Sequence, residues 1–155
     1  MNLAGVAFDI DFAIDRTSKS RKAALWNLAK RIGELRPWTS TNEMAKCLYA
    51  RERLGTTAIG AGVAVPHTVL VDQCPPLILA TQLEEKLDFD ALDGSLVDIL
   101  LGVVGNRDDL RWLQAAMPRF AKLAANHSLM HELRSATDVD LVVTILTRIG
   151  LKIAS

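Results

Sequence analysis

Cysteine is scarce: two in 155 residues, at 47 and 74, without C-x-x-C spacing. That excludes a disulfide framework and a cysteine-rich zinc site, and it predicts two reduced core thiols in a reducing cytosol, hence a cytoplasmic protein. A surplus of either charge is also missing, since lysine plus arginine and aspartate plus glutamate each number 18. Nothing in that balance draws the chain to nucleic acid or to an anionic membrane. Aromatic residues make up only 5% and interleave with no basic stripe, so no nucleic-acid partner is expected. No apolar run reaches the ~18 residues of a spanning helix. The opening MNLAGVAFDIDFAID carries acids where a signal peptide needs a basic start and an apolar centre, so no membrane insertion is expected. With neither repeats nor a low-complexity linker, residues 1–155 read as a single domain.

What is present is periodicity. Phe8, Ile10, Phe12 and Ile14 alternate with Asp9, Asp11 and Ala13, as in a strand with one buried face. From a cap at Ser18 or Ser20, Leu25, Leu28, Ile32 and Leu35 recur at helical spacing until Pro37. Ser40 and Glu43 have capping-box spacing for a second helix, which turns Met44, Cys47 and Leu48 inward and stops at Gly55, with Arg51 in its last turn. Residues 62–66 read as a short strand ending at His67, residues 76–83 as another, and residues 95–105 as a third. The near-continuous apolar run of that third strand implies burial on both faces. Helices to cover it are expected at 108–125, 127–134 and 137–149, the last opened by a Thr137/Asp140 pair, with a kink or break at Pro118. Layer logic then gives one sheet with helices on both sides, in the order β-α-α-β-β-β-α-α-α.

The chemistry concentrates in RERLGTTAIGAGVAVPH, residues 51 to 67. Glycines at 55, 60 and 62 permit tight turns and close approach, and Pro66 fixes the backbone just before His67. Arg51 and Arg53 supply charge, and Thr56 and Thr57 supply hydroxyls, the groups a phosphoryl dianion needs around an attacking nitrogen. An imidazole of ordinary pKa about 6.5 offers a neutral nitrogen for that attack. No metal and no cofactor is called for. His67 also fits a hydrogen-bonded core or turn residue, and Arg51 also fits a complement to its helix's C-terminal dipole. The segment is neither a P-loop nor a dinucleotide-binding turn. His127 and His131 read as a solvated helix face, the pairs Asp88/Asp90 and Asp108/Asp109 as turn and cap residues. Trp26, Trp38 and Trp112 read as core or rim aromatics, with Trp112 able to shield the ring or line a docking surface.

As a string, the segment resembles the phosphorylation-site motif of phosphotransferase-system enzyme IIA domains of the mannitol/fructose and nitrogen-regulatory class, R-E-x-x-G-[ST]-T-G-I-G-x-G-[VI]-A-[VI]-P-H. Arg51, Glu52, Gly55, Thr56, Thr57, Ile59, Gly60, Gly62 and the run Val63 to His67 match without a gap. The likeness continues through residues 87–104 and the helical tail. It implies an α+β fold, three α/β/α layers around a mixed sheet, and His67 as phosphoacceptor from a histidine-phosphorylated carrier of the HPr or NPr kind. A downstream IIB domain or a regulatory target would receive the group or sense it. The nitrogen-regulatory type is favoured over sugar uptake, because no IIB or IIC segment is attached, and a homodimer is compatible. Three departures stand out: Ala58 for glycine, Ala61 where many members have asparagine, and Asp109 at the position of the family's second histidine. An aspartate about 4 Å from a phosphoryl group would repel it by roughly 1 kcal/mol in water and about 4 at an effective dielectric of 20. Asp109 or Asp108 can alternatively orient the ring. The expected outcome is an altered phosphotransfer activity; the alternative is a non-catalytic adaptor of the same fold. Residues 58–65 are expected to form an apolar rim on which the carrier docks.

Overall fold

The computed structural model describes Leu3 and residues 5–154. The alternating segment at the start forms β1 (Ala7–Asp15), and Phe8 is its fully buried residue. Ser20 then caps α1 (Arg21–Leu35), accepting from the Ala23 N–H, and Ser40 caps α2 (Thr41–Leu54) by accepting from Glu43. The next strands are β2 (Ala58–Gly60), β3 (Val63–Ala64), β4 (His67–Leu70), β5 (Leu77–Leu87) and β6 (Val97–Asn106). Three helices follow, α3 (Arg111–Ala124), α4 (His127–Ser135) and α5 (Val139–Arg148), and then a short β7 (Lys152–Ile153).

The sheet is mixed and runs β2-β3-β6-β5-β1-β7, with β4 also alongside β6. β5 and β6 are antiparallel, while β1 runs parallel to β5, and β3 and β4 run parallel to β6. Period two sorts the central side chains between two cores. Ile78 and Ala80 of β5 join Val103, Trp112, Phe120 and Leu146 beneath α3 to α5. Leu77 and Leu79 join Leu25, Leu28, Ile32 and Leu48 beneath α1 and α2. Both faces of residues 77–81 of β5 and of most of β6 are thus dry, which is why those stretches are nearly continuous apolar runs, whereas Glu84 to Lys86 of β5 are exposed. The three-layer α+β fold expected from the sequence is the fold observed.

Several local expectations change. The strand anticipated at 62–66 is only two residues long, and His67 opens β4 instead of closing a strand. Pro66 has no N–H for the ladder, although its carbonyl still accepts from Val103 at 3.0 Å. Helix α3 continues through Pro118 without a break; Pro118 and Gln114 both lie on its exposed side, where solvent can satisfy the released carbonyl. Asp138, not Thr137, caps α5. Neither cysteine is a core thiol: Cys47 is exposed because α2 buries Ala45, Leu48 and Glu52 instead, and Cys74 is half-buried in the turn before β5.

Candidate functional site

Helix α2 ends with its buried stripe at Glu52, which turns the preceding Arg51 toward β4. Arg51 Nη1 donates to the Gly55 carbonyl at 2.8 Å and thereby folds back over its own helix end. Its Nε lies 3.3 Å from His67 Nε2. The other ring nitrogen, Nδ1, is 2.9 Å from the Val65 carbonyl. A carbonyl can only accept, so Nδ1 carries the proton and Nε2 presents its lone pair to the Arg51 N–H. The ring is half-buried. Burial is the main cause that holds its pKa below 6.5; the Arg51 charge adds to that, while the Val65 bond and the Glu52 carboxylate oppose it. The resting imidazole is therefore neutral at neutral pH and nucleophilic at Nε2.

Thr57 is buried beside this pair, but its hydroxyl donates to Glu52 Oε2 at 2.6 Å and its N–H to Oε1 at 3.2 Å. The Thr56 hydroxyl donates to the Phe89 carbonyl. Both hydroxyls are thus committed to the scaffold in this state. Asp109 lies in the turn before α3, its side chain 48% exposed, in a bidentate pair with Arg111 at 2.7 and 3.0 Å. The Arg111 hydrogen bonds hold its carboxyl below the usual 3.8. β4 aligns His67 with Val103 and ends with Leu70 opposite Asn106, so Asp109 follows from the far end of that pairing. Among the described contacts its carboxylate reaches Arg111 and not the ring, and the two together carry no net charge.

The family profile described as "Phosphoenolpyruvate-dependent sugar phosphotransferase system, EIIA 2" matches residues 9–149, nearly the whole chain. The chain belongs to this enzyme IIA family. It is 36% identical over 133 residues to the nitrogen regulatory protein of Bradyrhizobium diazoefficiens, covering 82% of each. The crystal structure of nitrogen regulatory protein IIA-Ntr from Neisseria meningitidis superposes with TM-score 0.72 at 24% identity, covering 86% of this chain and 92% of that one. The complex of enzyme IIA-mannitol with phosphorylated enzyme IIB-mannitol from Escherichia coli gives TM-score 0.72 at 16% identity over 91% and 99% of the chains. The last two show the fold.

Against the family motif, this IIA domain departs at a strained position. Ala61 sits at φ +56° in the β2–β3 hairpin, between Gly60 at +95° and Gly62 at +81°. Such a conformation costs an L-residue roughly 1 kcal/mol, less for asparagine than for alanine. The hairpin is pinned from outside: the Ala61 N–H donates to Asp93 at 2.9 Å and its carbonyl accepts from Arg134 at 2.6 Å. The segment 58–65 is not an exposed apolar rim. Gly62 to Val65 are buried in the sheet, residues 58 to 60 are half-buried, and only Ala61 is exposed. Exposed apolar side chains near the site come instead from Leu54, next to Gly55, and from Val69 and Val71, which follow His67 at alternate positions. Trp112 is a core residue over Gly105, its indole N–H donating to the Asn106 carbonyl at 3.0 Å. His127 and His131 are exposed on α4. The residue that pattern reading passed over is Glu52; its signal was its place, one residue from Arg51 in the last turn of a helix and five before a threonine.

Proposed function

We propose that this enzyme IIA-type chain is a phosphocarrier in which His67 Nε2 accepts a phosphoryl group from a histidine-phosphorylated carrier protein. The observation that carries the reading is the division of labour on one ring: Nδ1–H held by Val65 at 2.9 Å, Nε2 unprotonated and 3.3 Å from a guanidinium nitrogen. The Nε2 lone pair forms the new N–P bond as the donor's N–P bond breaks and its electron pair returns to the donor ring. No proton need move, because Nδ1 keeps its hydrogen throughout. The positive charge that the phosphorylated ring acquires is shared with the Val65 carbonyl, and Arg51 faces the arriving phosphoryl oxygens.

The similarity to nitrogen regulatory proteins favours a phosphorylation-dependent regulator over a sugar-uptake component. On that reading the downstream partner is a regulatory protein that senses the charge at 67, with a IIB domain as the alternative recipient, and a homodimer remains compatible. The Asp109–Arg111 pairing supports a working transfer, since the carboxylate's charge is balanced before it can oppose the phosphoryl group. Incubation with a phosphorylated HPr-like carrier, followed by intact mass, is the test. One phosphoryl group on wild type and none on His67→Ala is expected. Absence of label on both, with partner binding indifferent to His67→Asp, would make the chain an adaptor of the same fold.

A further inference from the structure

Glu52 is a buried charge beside the site with no part in the transfer just described. Its side chain is only 6% exposed, and a carboxylate so removed from water is costly unless its oxygens are engaged. Both of their hydrogen bonds come from one residue, and an ion pair comes from a second. Oε1 accepts the Thr57 N–H at 3.2 Å, Oε2 accepts the Thr57 hydroxyl at 2.6 Å, and Arg21 Nη1 stands 3.7 Å from Oε1. Arg21 is itself held by Asp90 at 3.1 Å and lies 5.9 Å over the Phe89 ring. The bonds continue from Thr57 toward the ring. The Thr57 carbonyl accepts the Val65 N–H at 2.9 Å, and the Val65 carbonyl accepts His67 Nδ1–H at 2.9 Å.

We propose that Glu52 is a positioning residue: by gripping Thr57 at two points it fixes the backbone pair 57/65, and through it the carbonyl that selects the His67 tautomer with Nε2 free. This rests on His67 being the phosphoacceptor. One turn of α2 thereby governs both ring nitrogens, Arg51 reaching Nε2 directly and Glu52 reaching Nδ1 through Thr57 and Val65. A carboxylate suits the task because it offers two acceptors where an amide offers one. In metal sites, the partners that orient a ligating imidazole from one shell out are typically worth ~10- to 100-fold, and the same scale is expected for a ring whose nitrogen attacks phosphorus.

The test reads the ring itself. In protein labelled with 15N-histidine, wild-type His67 shows a protonated Nδ1 and a bare Nε2. Glu52→Gln, which leaves Thr57 one acceptor short, gives a mixture of tautomers and phosphoryl uptake from a phosphorylated HPr-like carrier slowed by roughly tenfold or more. Thr57→Val, which removes only the hydroxyl bond, moves both readouts the same way, and Thr57→Ser restores them. Wild-type tautomer and uptake in folded Glu52→Gln and Thr57→Val would overturn the proposal, as would a wild-type ring protonated at Nε2. Should Glu52→Gln not fold, the Thr57 pair decides. Should wild type take up no phosphoryl group, the transfer reading fails, while the tautomer comparison still settles the positioning.

Discussion

The imidazole of His67 is tuned by burial and by a cation, and both favour the neutral ring in the folded protein. Its folded pKa is depressed, so the stability it contributes is present above about 6.5, the unfolded value, and is lost as pH falls through the folded value. Titration by NMR is expected to give His67 a pKa below 6.5, and Arg51→Gln to move it upward while slowing phosphoryl uptake. A downward movement would contradict the assigned role of the guanidinium. At this scale the sequence was informative about which side chains meet and silent about their other partners. The motif singled out His67 and Arg51 and the structure joins them, but nothing in the string shows that the Thr57 hydroxyl is turned to Glu52 or that Arg111 holds Asp109. Residue types at a spacing constrain which groups are near each other; the direction of a hydroxyl depends on its neighbours in space.

Among the elements, the β2–β3 hairpin carries a removable strain. Its turn residues, Ala61 and Gly62, both have positive φ, the conformation that Asn-Gly adopts most readily. Ala61→Asn is expected to stabilise the domain by about 0.5–1 kcal/mol, a rise in Tm of roughly 1–4 °C, checked by thermal unfolding. The contact of β6 with α3 is the opposite case. A Cβ at Gly105 would lie 2.5 Å from the Trp112 indole, so Gly105→Ala should cost about 1–3 kcal/mol in a denaturant titration. Element types and most caps were legible because they depend on local periodicity, as at Ser20 and Ser40. The shortening of the expected strand to Val63–Ala64, the new strand that opens at His67 and the continuity of α3 through Pro118 were not, since they depend on which carbonyl faces a neighbouring strand or solvent.

For the molecule as a whole, three carboxylates give acid stability a definite shape. Asp93 is held at about 2 by bonds from Ser95 and Ala61, and Asp109 is held below 3.8 by Arg111. Asp15 is also lowered: burial pushes it up, but bonds from Ser18, Thr17 and Asn27 outweigh that. For a depressed carboxyl the stabilising contribution is complete above about 3.9, the unfolded value, and vanishes as pH falls through the folded one. Denaturant midpoints should therefore fall more steeply between roughly pH 4 and pH 2 than between pH 6 and pH 4, and Asp93→Asn should flatten the lower limb. The layered architecture was legible throughout, because strands dry on both faces require helices on both sides. Which apolar residues close to His67 and Arg51 in sequence face solvent was not, since what the fold buries decides that Leu54, Val69 and Val71 stay exposed.

His67 opens the short strand β4, yet it is tied in register to Val103, a fully buried residue of the core beneath α3 to α5. If the ring carries the phosphoryl group proposed above, so stiff a support leaves that group little freedom to act through movement. The two forms of this protein should then share one silhouette and differ in a small island of negative potential, and a partner that tells them apart must do so by reading charge.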